Sequence, residues 1–197
     1  MIKKILLATF VLFTNSHALE TAKTNTTMTM TDVNGKTYNV QGTEEGFKIS
    51  GLEGKVIFLE FFGHQCPPCL ASIPHLINLQ KKYKDKLAVV SIEVQGYNTK
   101  QLTAFAKEKG MNYIVVPEET SSHLVNYIQQ RAQWRGSIPF LVALDTKGNV
   151  QFVQAGMLPE SSLETLIDQL SDKTAKATES NTSKTENNTT KATPKKD

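Results

Sequence analysis

The sequence predicts an α/β fold: a central mixed β-sheet flanked by helices, with an N-terminal β-hairpin extension. Three observations lead there. Residues 56–62, Val-Ile-Phe-Leu-Glu-Phe-Phe, form a β-branched and aromatic run that is apolar on both faces, as a strand covered on both sides requires. Helical and strand patterns then alternate along the chain, which lays strands side by side under helices. The last two strands, at 139–145 and 150–155, are joined by Lys147-Gly148-Asn149 and read as a hairpin.

Taken in order, the chain opens on Lys3 and Lys4, then an apolar stretch of nine residues at 5–13, broken by Thr9 alone, then Ser16-His17-Ala18. This is the pattern of a cleavable signal peptide over residues 1–18. Nine residues are too few for a bilayer-spanning helix, which takes roughly 20. Retention as an uncleaved anchor is the rival reading. Residues 19–30 are Thr-rich and read as a flexible arm, and Asn34-Gly35 marks a tight hairpin turn. A further turn at 51–55 leads into the strand at 56–62. A helix follows over 66–83, with Leu70, Ile73, Leu76, Ile77 and Leu79 as its apolar side and Pro74 expected to kink it. Strand 87–94, helix 99–109 closed by Gly110, short strand 112–116 and helix 121–131 precede the hairpin. A final helix is expected over 159–170, with Ser161 or Ser162 near its start and Glu160 and Glu164 in its first turns. Residues 31–171 thus make one domain. Residues 172–197 are almost all Lys, Thr, Ser, Asn, Glu and Ala, too polar to offset the entropy of ordering, and are predicted to be a disordered tail.

Charge excludes one class of partner. The formal charge of +3, less the two lysines of the leader, leaves +1, which is no footprint for nucleic acid. No nucleotide-binding motif is present, and no cofactor is expected.

Cysteine usage points to the chemistry. The chain has two cysteines, Cys66 and Cys69, in Cys66-Pro67-Pro68-Cys69. Export would place them where thiols tend to oxidise. A disulfide closing so small a loop constrains the unfolded chain little, so the pair suits redox work better than stapling. Cys66 falls where a helix begins, and there unpaired N–H groups and the helix dipole favour a thiolate. Cys66 would attack a partner disulfide, and Cys69, one turn further in, would displace the partner from the mixed disulfide. Zinc sites share this spacing but need four ligands. No second cysteine pair exists, and His17, His64, His75 and His123 show no paired spacing, so no metal is expected.

The stretch Phe61-Phe62-Gly63-His64-Gln65-Cys66-Pro67-Pro68-Cys69, with Pro74 in the next helix and Gly136-Ser137-Ile138-Pro139 before a strand, resembles the thioredoxin superfamily. The hairpin at 32–38, followed by Gly54-Lys55-Val56, is similar to its exported TlpA/ResA-like branch. The resemblance spans residues 28–170. It implies a thioredoxin fold in which Pro139 is cis and faces the cysteine pair, with the Ile138 backbone offered to an extended substrate. The bare alternative is a proline opening a strand. Glu60 lies six residues before Cys66, where thioredoxins proper carry a buried acid. Burial would raise its pKa and let it take and return the Cys69 proton; a glutamate reaching solvent is the alternative. Gln65 and Phe62 depart from frequent tryptophan positions of the family. The single Trp134 is either close to the active site or a core or surface anchor. His64 either supports the Cys66 thiolate or is an exposed turn histidine.

Pro67 and Pro68 offer the thiolate no backbone N–H, so the reduced form is stabilised less than in a strong oxidant, the disulfide is harder to reduce, and the pair points to a reductase. As an exported reductase it would work in the periplasm on the thiols and disulfides of exported clients, with apocytochrome c a client class by resemblance. It would draw electrons from a membrane donor. The alternatives are a DsbA-like oxidase and a thiol-based metal-binding or copper-delivery module. In the tail, Asn181 and Asn188 each sit in an acidic-x-Asn-x-Ser/Thr pattern that suits bacterial N-glycosylation, a match that an Asn- and Thr-rich tail also produces by chance.

Overall fold

The computed structural model describes residues 26–182. Strands β1 (Thr27–Thr31), β2 (Thr37–Gly42) and β3 (Phe47–Ile49) form an antiparallel three-stranded sheet. Strands β4 (Val56–Phe62), β5 (Leu87–Glu93), β6 (Ile114–Pro117), β7 (Phe140–Leu144) and β8 (Val150–Ala155) form a second sheet in the order β6-β5-β4-β7-β8. Helices α1 (Pro67–Lys82), α2 (Thr99–Lys109), α3 (Ser122–Arg131) and α4 (Glu160–Thr182) complete the fold.

The apolar run of β4 takes the centre. It pairs in parallel with β5 and antiparallel with β7, and all seven of its residues are buried. Its side chains alternate between two cores. Ile57, Leu59 and Phe61 point to the face covered by α3 and by Met28, Met30, Phe47 and Ile49 of the small sheet. Val56, Phe58 and Phe62 point to the face covered by α1, α2 and α4, which also holds Cys66 and Cys69. Strand alternation therefore sends Glu60 to the cysteine side.

Local chemistry fixes the helix ends. Asn98 and Gln101 form a reciprocal capping box on α2, and Gly110 closes that helix in the left-handed region at φ 67°. Pro74 lies inside α1 at a solvent-facing position.

The structure corrects two boundaries and adds a strand. Thr27–Thr31, most of which lies in the arm expected over 19–30, is β1; its threonines alternate with buried Met28 and Met30. The segment β3 has only three residues and carries too short a pattern to read. The tail predicted as disordered from 172 instead continues α4 to Thr182. Residues 172–182 contain neither Gly nor Pro, so an existing helix extends through them without a new nucleation cost. Asn181 falls in the last turn of α4. The leader at 1–18, residues 19–25 of the arm, Asn188 and the rest of the tail lie outside the described residues.

Candidate active site

Cys66 caps α1 from outside the helix, with extended backbone at φ −105° and ψ 103°. Pro67 and Pro68 fill the first two helical positions, where a missing N–H costs nothing. The first backbone N–H of the helix is therefore that of Cys69, and it donates to Cys66 Sγ at 3.3 Å. The two sulfurs are joined as a disulfide. Cys66 keeps 7% of its surface exposed and Cys69 none, so an incoming partner meets Cys66 first.

The loop before β7 brings the other predicted residues to the pair. The Ile138–Pro139 bond is cis. The Ile138 carbonyl oxygen lies 3.8 Å from Cys66 Sγ across 72 residues of sequence. The Gly156 N–H donates to the Pro139 carbonyl at 2.8 Å and ties the end of β8 to this loop. Beneath it, Trp134 Nε1 donates to the Ser137 carbonyl at 2.7 Å, and the indole stacks on Phe61 at 4.5 Å between centroids. Trp134 is a core anchor of the proline loop, packed on the sheet face opposite the cysteines.

Glu60 is buried, and solvent is not its partner. Ser72 Oγ donates to its Oε1 at 2.9 Å and Ser91 Oγ to its Oε2 at 2.9 Å. Desolvation raises its pKa from 4.5 to about 7 against the lowering effect of those two hydroxyls. Tyr113 is pushed up strongly as well, by its own burial and then by the Glu60 charge. A cavity of about 20 Å³, lined by Glu60, Ser72, Pro139, Leu141, Leu158 and Leu163 among others, separates the acid from the proline loop. That is room for roughly one water molecule.

His64 is neither an exposed turn residue nor, by any contact in the structure, a partner of Cys66. Its Nδ1 lies 2.8 Å from Oε1 of Glu93, and its ring stacks on Tyr97 at 3.6 Å with 10° between planes. Glu93, fully buried at the end of β5, also accepts the backbone N–H groups of Gln95 at 3.0 Å and Tyr97 at 2.9 Å. Gln95 Oε1 in turn accepts the Gln65 N–H at 2.8 Å. The turn before Cys66 is thus held by polar groups from the end of β5 and the β5–α2 loop. The signal for Glu93 was the one that exposed Glu60, an acid inside an apolar strand. Among the described residues, no three His, Cys, Asp or Glu side chains are grouped to hold a metal ion.

The Redoxin family profile matches residues 18–167. The chain is 27% identical over 126 residues to the thioredoxin-like protein YneN of Bacillus subtilis, covering 63% of this chain and 70% of YneN. It is 28% identical over 126 residues to the thiol-disulfide oxidoreductase ResA of Halalkalibacterium halodurans, covering 63% of this chain and 67% of ResA. Among solved structures, a thioredoxin-family thiol:disulfide interchange protein from Chlorobium tepidum aligns with a TM-score of 0.61 at 22% identity, over 75% of this chain and 96% of that one. StoA from Bacillus subtilis aligns with a TM-score of 0.54 at 16% identity, over 72% and 96%. These two likenesses carry the thioredoxin fold. Because the profile match runs from ahead of β1 into α4 and encloses the Cys66–Cys69 disulfide, the chain belongs to the Redoxin family and is a thiol-disulfide oxidoreductase.

Proposed function

We propose that this oxidoreductase is a periplasmic reductase of protein disulfides in exported clients. The observation that carries the direction is the first turn of α1. With prolines at 67 and 68, one backbone N–H reaches Cys66 Sγ, that of Cys69. A thiolate held by so few donors is a poor resting state, so the disulfide is favoured and the dithiol gives its electrons away. The signal-peptide pattern over 1–18 supports export, and a reductase outside the cytoplasm requires a membrane donor to recharge it.

In the forward reaction the reduced Cys66 thiolate attacks one sulfur of a client disulfide. The client S–S bond breaks, a Cys66–client disulfide forms, and one client thiolate departs. Cys69 then gives its proton toward Glu60 and attacks Cys66 Sγ. The mixed disulfide breaks, the Cys66–Cys69 bond forms, and the second client thiolate leaves with the electron pair. The Ile138 carbonyl beside Cys66 supports an extended client segment docking along the edge at Ile138 and Pro139.

The test is the reduction potential of the pair, measured against a glutathione series and read by thiol alkylation. A value near or below about −270 mV, as in thioredoxin, is expected. A value near −120 mV, as in DsbA, would overturn the direction and make the protein an oxidase.

A further inference from the structure

We propose that Ser72 is a positioning residue that couples Glu60 to Cys69, turning one hydroxyl proton between the carboxylate and the Cys69 carbonyl while Ser91 holds the acid from its other side. This rests on the reading that Glu60 accepts the Cys69 proton.

Ser72 Oγ is 2.9 Å from Glu60 Oε1 and 2.8 Å from the Cys69 carbonyl oxygen. A hydroxyl has one proton and can serve one of these acceptors at a time. When Glu60 is ionised it can only accept, and it takes the protons of Ser72 and Ser91. When Glu60 is protonated it has an O–H of its own, which it can donate to Ser72 Oγ. The Ser72 proton is then free to turn to the Cys69 carbonyl.

Both protonation states are therefore hydrogen-bonded with no movement of heavy atoms. That matters in a closed site, where an unsatisfied polar group is costly because no water can replace the lost partner. Ser91 stands directly opposite Glu60 in the β4–β5 register and is fully buried. Beyond it, the Tyr113 hydroxyl is buried without a hydrogen-bond partner among the described residues, and is the titratable group facing Glu60 from the β6 side. From α1 the facing groups are Ser72 and Leu76; from β7, Leu141; from the β8–α4 loop and α4, Met157, Leu158 and Leu163. The last four are apolar. The acid's charge is thus managed by hydroxyls, and Ser72 is the one that also touches the backbone of the reacting cysteine.

The experiment follows reduced protein with the aromatic disulfide DTNB in a stopped-flow instrument across pH. Cys66 releases one thionitrobenzoate on forming the mixed disulfide, and Cys69 releases a second on resolving it. Ser72→Ala is expected to raise the pH midpoint of the second phase by about one unit, a roughly tenfold slowing below that midpoint, and to leave the first phase unchanged. Ser72→Thr, which keeps the hydroxyl, is expected to restore the midpoint. In a Glu60→Gln background, Ser72→Ala is expected to add nothing. A Ser72→Ala midpoint equal to the wild type, or one that moves as far without Glu60, overturns the proposal. If Glu60→Gln itself keeps the wild-type profile, the role of the acid falls and the proposal with it. If the wild type releases no thionitrobenzoate, the disulfide-exchange reading falls first.

Discussion

His64 Nδ1 meets the Glu93 carboxylate at 2.8 Å, joining the turn before Cys66 to the end of β5 across 29 residues of sequence. Glu93 is fully buried, and His64 and two backbone N–H groups are its donors. Glu93→Gln keeps the shape but puts an amide where one accepting oxygen was. We expect it to lower stability by about 2 kcal/mol, the scale of a hydrogen bond to a charged group, in urea unfolding at neutral pH. An unchanged midpoint would show that the pair does not hold the turn.

Gly63 is packed against the side chain of Gln95, and a Cβ there would overlap Gln95 Cγ at 2.7 Å. Gly63→Ala should turn that flexible side chain away and strip the Gln65 N–H of its acceptor. A loss of about 1 kcal/mol is expected. Gln95→Ala should reproduce most of it, and the double variant should lose little more than either alone. Full additivity would mean that the two changes act at separate places.

Glu60 gives stability a pH dependence of known sign. Its carboxyl ionises near 4.5 in the unfolded chain and near 7 in the fold. Between those values the folded state binds the extra proton, so stability is fully present below 4.5 and is lost as pH rises through about 7. The loss is on the order of 3 kcal/mol. Denaturant unfolding at pH 5 and pH 8 should show it, and Glu60→Gln should flatten the difference. A wild type equally stable at both pH values would rule out a titrating acid at this position.

Cys69→Ser should leave Cys66 able to attack and unable to be released. Incubated with a disulfide-bearing peptide, this variant should accumulate a covalent adduct visible by intact mass. Cys66→Ser should give none. The burial contrast between the two sulfurs sets this asymmetry, and adducts forming equally on both single variants would contradict it.

Where the sequence carried strong local signals it read cleanly. The continuous run of β4, the Gly110 end of α2, and the Lys147-Gly148-Asn149 turn before β8 each mark an element by local residues. So does the cysteine pair. The extension was harder, because two methionines among threonines make a weak alternation and β3 has three residues. The serines that serve Glu60 carry no signal of their own: Ser91 matters because β4–β5 pairing sets it opposite Glu60, and Ser72 because α1 lies over that face. The Glu93–His64 pair is equally non-local. An acid can be seen in a strand, but its partner emerges only once the two loops meet.

Trp134, the chain's one tryptophan, holds the Ser137 carbonyl of the proline loop from the sheet face away from the sulfurs. Its emission is consequently a label-free gauge of that loop. A client strand laid along Ile138 would press on the ledge that the indole supports, whereas a change in sulfur oxidation state would reach the ring only by moving the same ledge. One fluorophore thus listens to docking from beneath, and no dye needs to be attached near the cysteines to hear it.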